Sequence, residues 1–307
     1  MDGLIGQSDG VIRFAVFLSV FLLMALIELL WPKRKLIASK KRRWLTNVGI
    51  SVAASAVLRL MAMLAVPVAA IAAAFYAEQH QLGLLNQVAW PLWIKVAASL
   101  LVLDLAIWAQ HLASHKIPIF WRLHQVHHAD RDVDVTTAVR FHPVEIALSM
   151  LWKIAVVVPL GAPPLAVFLF EVILNACAMF NHANIALPSW LDRALRKLIV
   201  TPDMHRVHHS VRFREHDSNY GFNLSIWDRL FRTYTAQPEA GHEGMTIGLA
   251  PYQTEGPSRF GWSLHSAFCP KRAAAEPMQH HFGRQAIVPQ YVHLVSLAVL
   301  GMAVAWQ

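Results

Sequence analysis

The sequence predicts an all-α protein, an integral membrane helical bundle with a helical cap, on three observations. Apolar residues gather in runs long enough to cross a bilayer, positive charge concentrates after the first run, and histidines recur at spacings that share one face of a helix. Of the 307 residues 56% are apolar and only 15% charged, a balance that excludes an ordinary soluble domain of this length. Several spanning runs share the chain with one polar block, so residues 1–307 are expected to form a single membrane domain.

The first run, residues 11–31, covers a hydrocarbon core of about 30 Å at about 1.5 Å per residue. No basic leader precedes it, so it is expected to be retained as a span. The loop that follows carries Lys33, Arg34, Lys35, Lys40, Lys41, Arg42 and Arg43, which assigns it to the cytoplasmic face. A second run, 48–77, leads back out with Pro67 as an expected kink, and the next loop, AEQHQLGLLNQ, has no Lys or Arg. A third run, 90–111, returns to the cytoplasmic side and delivers the stretch from Ser114 to His142 there. Residues 144–180 are apolar on both sides of PLGAPP and read as a helical hairpin, 183–285 form the polar block, and 286–306 are a possible last span. The expected protein is multi-pass, in a bacterial inner membrane, with its polar cap in the cytoplasm.

The net charge of +8 sits beside apolar segments rather than on a continuous stripe, which fits anionic lipid headgroups and disfavours nucleic acid. Cys177 and Cys269 are too few for a disulfide framework.

Three histidine groups carry the chemistry: His111 with His115, then His124 with His127 and His128, then His205 with His208 and His209. Residues three and four apart on a helix share a face, so each group presents its imidazoles together. Neutral imidazole is a ligand for zinc, copper, iron or nickel, and eight such donors exceed one tetrahedral site, so two metal ions are inferred. His182, in FNHAN, is a supplementary ligand, and His142, in RFHPVE, a weaker candidate whose alternative is a hydrogen-bonded structural role. Asp104 lies on the same helical stripe as His111 and is a candidate to orient His111 or His115, the alternative being an ion pair with Arg59. A zinc protease is excluded, since His242-Glu243 is followed by Thr246 where a second histidine would stand.

With these residues in view, the chain resembles the fatty acid hydroxylase superfamily, in its sterol desaturase-like branch of membrane histidine-box proteins. The likeness runs over about 95–235, through an Asp within a span, WAQHLASH, WRLHQVHH, RFHPVE, NHANI, TPDMHRVHH and HDSNYGFNLSIWDRLFRTY. Gln110 and Leu112 depart from the aromatic and Arg common at those places, while the histidines of that group are kept. The resemblance implies a non-haem di-iron centre and dioxygen as co-substrate. It also implies an external electron donor such as a reductase, ferredoxin or cytochrome, and hydroxylation or desaturation of a lipid, whether sterol, fatty acyl or related. It places His111, His115, His124, His127, His128, His205, His208 and His209 as catalytic ligands, with His182 beside them. The alternatives are a non-catalytic metal- or lipid-binding membrane protein, and an ether-lipid or carotenoid monooxygenase of the same fold.

Overall fold

Proline, glycine and a few side-chain caps decide where the helices start and stop. The computed structural model describes residues 5–64 and 69–269. Helices α1 (Ile5–Leu30), α2 (Lys40–Met63), α3 (Ala70–Gln79), α4 (Leu92–Lys116), α5 (Pro118–His128), α6 (Pro143–Leu160) and α7 (Pro164–His182) follow in chain order. All but α3 and α5 are long and apolar enough to cross a membrane. Pro67 and the stretch 286–306 lie outside the described residues.

The second apolar run, read from hydropathy as 48–77, begins earlier as a helix. Lys40, Lys41 and Arg42 form an exposed first turn of α2, while Arg43 points inward and is fully buried. Hydropathy finds the apolar part of a helix and not its charged end. In the hairpin, Gly161 caps α6 in the left-handed region (φ +66°) and Pro163 and Pro164 open α7, since proline suits a first turn and cannot continue the helix before it. Gly83 (φ +86°) lies against this turn so closely that a Cβ would stand 2.2 Å from the Gly161 nitrogen. Only glycine permits that approach.

Helix α7 is the central element, packing against α1, α3 and α4. Leu103, Ile107, Val157, Val167 and Phe170 make the core there, and Ala70 and Ala74 let α3 come close. On the outside, α1 exposes Val11, Phe14, Leu22 and Leu26, the pattern of a lipid-facing helix.

The cap consists of short helices: α8 (Ser189–Leu195), α9 (Pro202–His208), α10 (Phe213–His216), α11 (Ile226–Leu230), α12 (Gly241–Gly244) and α13 (Phe260–Ser266). Among the described residues there is no strand, only isolated bridges such as Pro32 with Ile185 and Ser210 with Ile247. Buried charge ties the cap to the bundle. Glu28, on α1, accepts from the backbone N–H groups of Val135 (2.7 Å) and Asn184 (2.8 Å). Arg140 donates to the Val126 carbonyl (2.7 Å), Asn47 (2.6 Å) and Ser263 (2.9 Å), joining α5, α2 and α13. Burial pulls its guanidinium down to about 10 against the attraction of Asp130.

Candidate metal centre

A single break in the chain aims the first two histidine groups at each other. Pro118 disfavours helix at the residue before it, and Ile117 is extended (φ −98°, ψ 117°), so α4 ends and α5 starts afresh with Pro118 in its first turn. Helix α5 packs back along α4, bringing His124 toward His111 and His115. The third group depends on Thr201, whose hydroxyl accepts from the Met204 N–H (3.3 Å) and caps α9, with Pro202 following. His182 is the last residue of α7, which packs against α9.

Nine imidazoles meet in two sets. His111, His115, His124, His128 and His208 form one and His127, His182, His205 and His209 the other, with the ligand nitrogens of each set all within 4.8 Å of one another. The sets adjoin, since the His128 and His209 rings stack with centroids 4.6 Å apart.

Hydrogen bonds at the far side of each ring decide what the inner nitrogens carry. His111 Nδ1–H donates to the Tyr220 carbonyl (2.7 Å), His208 Nδ1–H to the Ser218 carbonyl (2.6 Å) and His124 Nδ1–H to the Glu145 carboxylate (2.6 Å). A neutral imidazole has one proton, so in each of these rings Nε2 is left with a bare lone pair. Yet His111 Nε2 lies 3.0 Å from His208 Nε2 and 3.1 Å from His124 Nε2. Three lone pairs directed at one another repel unless a cation stands among them. In the other set His182 Nδ1–H donates to the Ala178 carbonyl (2.7 Å), and its Nε2 faces His205 Nε2 (3.0 Å) and His127 Nε2 (3.1 Å). Two ligands about 90° apart on an ion with bonds of about 2.1 Å stand about 3.0 Å from each other, which is the spacing seen. Both ring nitrogens of His128 and of His209 are buried without a hydrogen-bond partner. Buried polar atoms without a partner are costly, and a metal ion removes that cost. Burial first, and crowding by other imidazoles second, hold His127, His128, His205 and His208 well below the ordinary imidazole range. They are neutral at pH 7, the form that ligates. All-nitrogen donor sets suit iron, copper, zinc or nickel, and the five-donor set exceeds a tetrahedral site.

Two sequence candidates stand elsewhere. Asp104 does not reach the imidazoles or Arg59: its carboxylate accepts from Trp227 Nε1 (2.8 Å) and the Leu224 N–H (3.2 Å), because a position nearly two turns from His111 is too far along the helix to touch that ring. It anchors the segment that follows Tyr220. His142 caps α6, with Nδ1 accepting from the Val144 N–H (3.2 Å) and Nε2–H donating to the Leu264 carbonyl (3.3 Å). The orienting carboxylate is Glu145, on a different helix from its histidine, which helical spacing does not reveal. Glu145→Leu is expected to weaken metal retention in the five-histidine set by about 10–100-fold, with Glu145→Gln, which keeps an acceptor, losing less; competition with a graded chelator measures this.

A cavity of about 450 Å³ opens onto this centre. It reaches His111 and His124 at one end and runs between the spanning helices past Ile107, Met150, Val172 and Leu174. Phe141 lies flat on His127 (centroids 4.4 Å apart) and Phe222 stands tilted 4.9 Å from His111, so aromatic side chains flank the rings.

Residues 96–233 match the sequence profile of the fatty acid hydroxylase family. Ornithine lipid hydroxylase OlsE of Rhizobium tropici is 29% identical over 239 residues, 73% of this chain and 67% of that protein. Human alkylglycerol monooxygenase is 27% identical over 163 residues, 51% of this chain and 34% of its own length. The cholesterol 25-hydroxylase-like protein of Danio rerio is 30% identical over 149 residues, 48% of this chain and 56% of that one. The chain thus spans about two thirds of the first relative and about a third of the second. No solved structure matches it.

Proposed function

We propose, from the premise that the chain belongs to the fatty acid hydroxylase superfamily, that it is a membrane-bound, oxygen-dependent lipid hydroxylase whose two histidine sets hold a pair of iron ions. The observation that carries this reading is the convergence of His111, His124 and His208 lone pairs at the end of an apolar cavity. A membrane protein that merely stored metal would have no use for a chamber leading from its ligands into the lipid-embedded helices.

Bound iron would supply the redox chemistry, with dioxygen and two external electrons converting a C–H bond and two protons into C–OH and water. The chain supplies the rest. Tyr220, Ser218 and Ala178 carbonyls and the Glu145 carboxylate hold ring protons on Nδ1, keeping the inner nitrogens free as donors. The cavity holds a lipid chain against the His111–His124 edge, while Phe141 and Phe222 keep water from the reacting carbon. Hydroxylation is favoured over desaturation by the names of the relatives, and an ether-lipid monooxygenase is the second reading, favoured by the alkylglycerol monooxygenase match.

The Lys33 N–H donates to the Asn184 carbonyl (3.0 Å), so the basic loop lies on the histidine side of the bundle. With positive residues inside, the centre faces the cytoplasm of a bacterial inner membrane, where a soluble electron donor reaches it. Purified protein is expected to contain close to two iron ions per chain and, when reduced under labelled dioxygen, to place the label in an extracted membrane lipid. Zinc in place of iron, or an unlabelled lipid pool, overturns the proposal.

A further inference from the structure

The cavity that ends at His111 and His124 has a second, charged end. Arg13 from α1, Lys153 from α6 and Glu171 from α7 all line it. Lys153 Nζ donates to Glu171 Oε1 (3.0 Å), and Arg13 Nη1 pairs with Glu171 Oε2. Two cations therefore share one carboxylate, and the cluster keeps a net positive charge between helices of spanning length. Arg13 Nε and Nη2 are buried with no hydrogen-bond partner. Charge within a membrane is costly and marks a functional position, and charged donors without acceptors add to that cost. A structural ion pair would need one cation, so the second is the informative residue.

Position along the helices gives the cluster a distance from the chemistry. Glu145, which holds His124, and Lys153 lie on the same helix, and eight residues at about 1.5 Å each separate them by about 12 Å. Between the two ends the lining is mostly apolar, as in Met150, Val172 and Leu174. One end polarises toward an oxyanion, the middle accepts hydrocarbon, and the other end meets the metal ligands.

We propose that Arg13 and Lys153, held by Glu171, bind the oxyanion of the lipid substrate, a carboxylate or a phosphate ester, and so set which carbon lies beside the histidines. This rests on reading the cavity as the substrate chamber. Bidentate geometry and unpaired N–H groups suit Arg13 to such an oxygen pair, while Lys153 adds a point charge.

The test uses the full-length, iron-loaded protein in neutral detergent with three probes of one chain length: hexadecanoate, hexadecyl phosphate and hexadecanol. Equilibrium binding is expected to favour at least one of the anions over the alcohol by at least about 10-fold, as loss of a charge-assisted hydrogen bond predicts. Preference for hexadecanoate assigns a carboxylate and preference for hexadecyl phosphate a phosphate. Lys153→Met is expected to erase that preference with iron content unchanged, Lys153→Arg to restore most of it, and Arg13→Gln to lower it independently should Lys153→Met fail to fold. Equal binding of all three probes, or an anion preference that survives both neutral variants, overturns the proposal. Iron content and labelled product are measured on the same preparations. Anion preference without oxygenation would therefore defeat the hydroxylase reading alone, and oxygenation without anion preference would defeat this one alone.

Discussion

With two iron ions held as proposed, replacing His128 by alanine is expected to lower bound iron from about two ions per chain to about one and to reduce turnover by at least about 100-fold, beyond the range of losses seen when only a supporting partner of a ligand is removed. His209→Ala is expected to do the same from the other set. These two residues give a clean test because neither ring nitrogen of either makes a hydrogen bond, so alanine removes a proposed donor to metal without breaking a structural contact of that kind. His142→Ala provides the contrast. It removes a cap from α6, at a cost of roughly 1 kcal/mol, and leaves iron content as it was. Metal analysis on preparations matched for elution and thermal stability separates the cases. Wild-type iron in both His128→Ala and His209→Ala would sink the two-site assignment.

The nine histidines that converge in the structure were legible in the sequence, but their division between two sets was not. Successive residues on a helix are about 100° apart, so the doublets His127–His128 and His208–His209 cannot each serve one point. In the structure the i,i+4 pairs stay together, His124 with His128 and His205 with His209, and the histidine just before the second of each pair or beside it crosses over: His127 joins His205 and His209, while His208 joins His124 and His128. The expectation that each group presents its imidazoles together is corrected for both triplets, and which histidine crosses over depends on how α5 and α9 face each other, which is tertiary information. The same limit explains the carboxylates. Asp104 shares a helix and a stripe with His111, so spacing singled it out, but seven residues rise about 10 Å. Glu145 reaches His124 from a separate helix, and Glu28 turns inward to hold two loops. Local pattern finds residues that act through their own helix and misses those that act across the bundle.

Arg43→Met is expected to be the most destabilising of the substitutions outside the metal ligands, by about 3–5 kcal/mol, because it removes one partner of a buried ion pair and leaves the other charged. Arg43 is fully buried and donates to both Asp130 oxygens (2.6 and 2.8 Å), to Asp134 (2.6 Å) and to the Asp132 carbonyl (2.9 Å). Those carboxylates sit on the segment that leaves α5 directly after His127 and His128, so the guanidinium fixes the end of a ligand-bearing helix from α2. Burial alone would raise the Asp130 carboxyl, but the charge and hydrogen bonds of Arg43 hold it down at about 2. A carboxylate more acidic in the folded state than in the unfolded one stabilises fully above the unfolded value, near 4, and loses that contribution as pH falls toward 2, here about 2 kcal/mol. Thermal melts in detergent should therefore hold steady from neutral pH down to about 4 as far as this group is concerned and decline below it, and Asp130→Asn should remove this part of the decline. Arg43→Lys should fall between wild type and Arg43→Met, since an ammonium keeps the charge but cannot span both Asp130 oxygens and Asp134 in one plane. If Arg43→Met melted within about 1 kcal/mol of wild type, the buried network would be dispensable and the end of α5 would have to be held by Arg140 and its bond to the Val126 carbonyl instead.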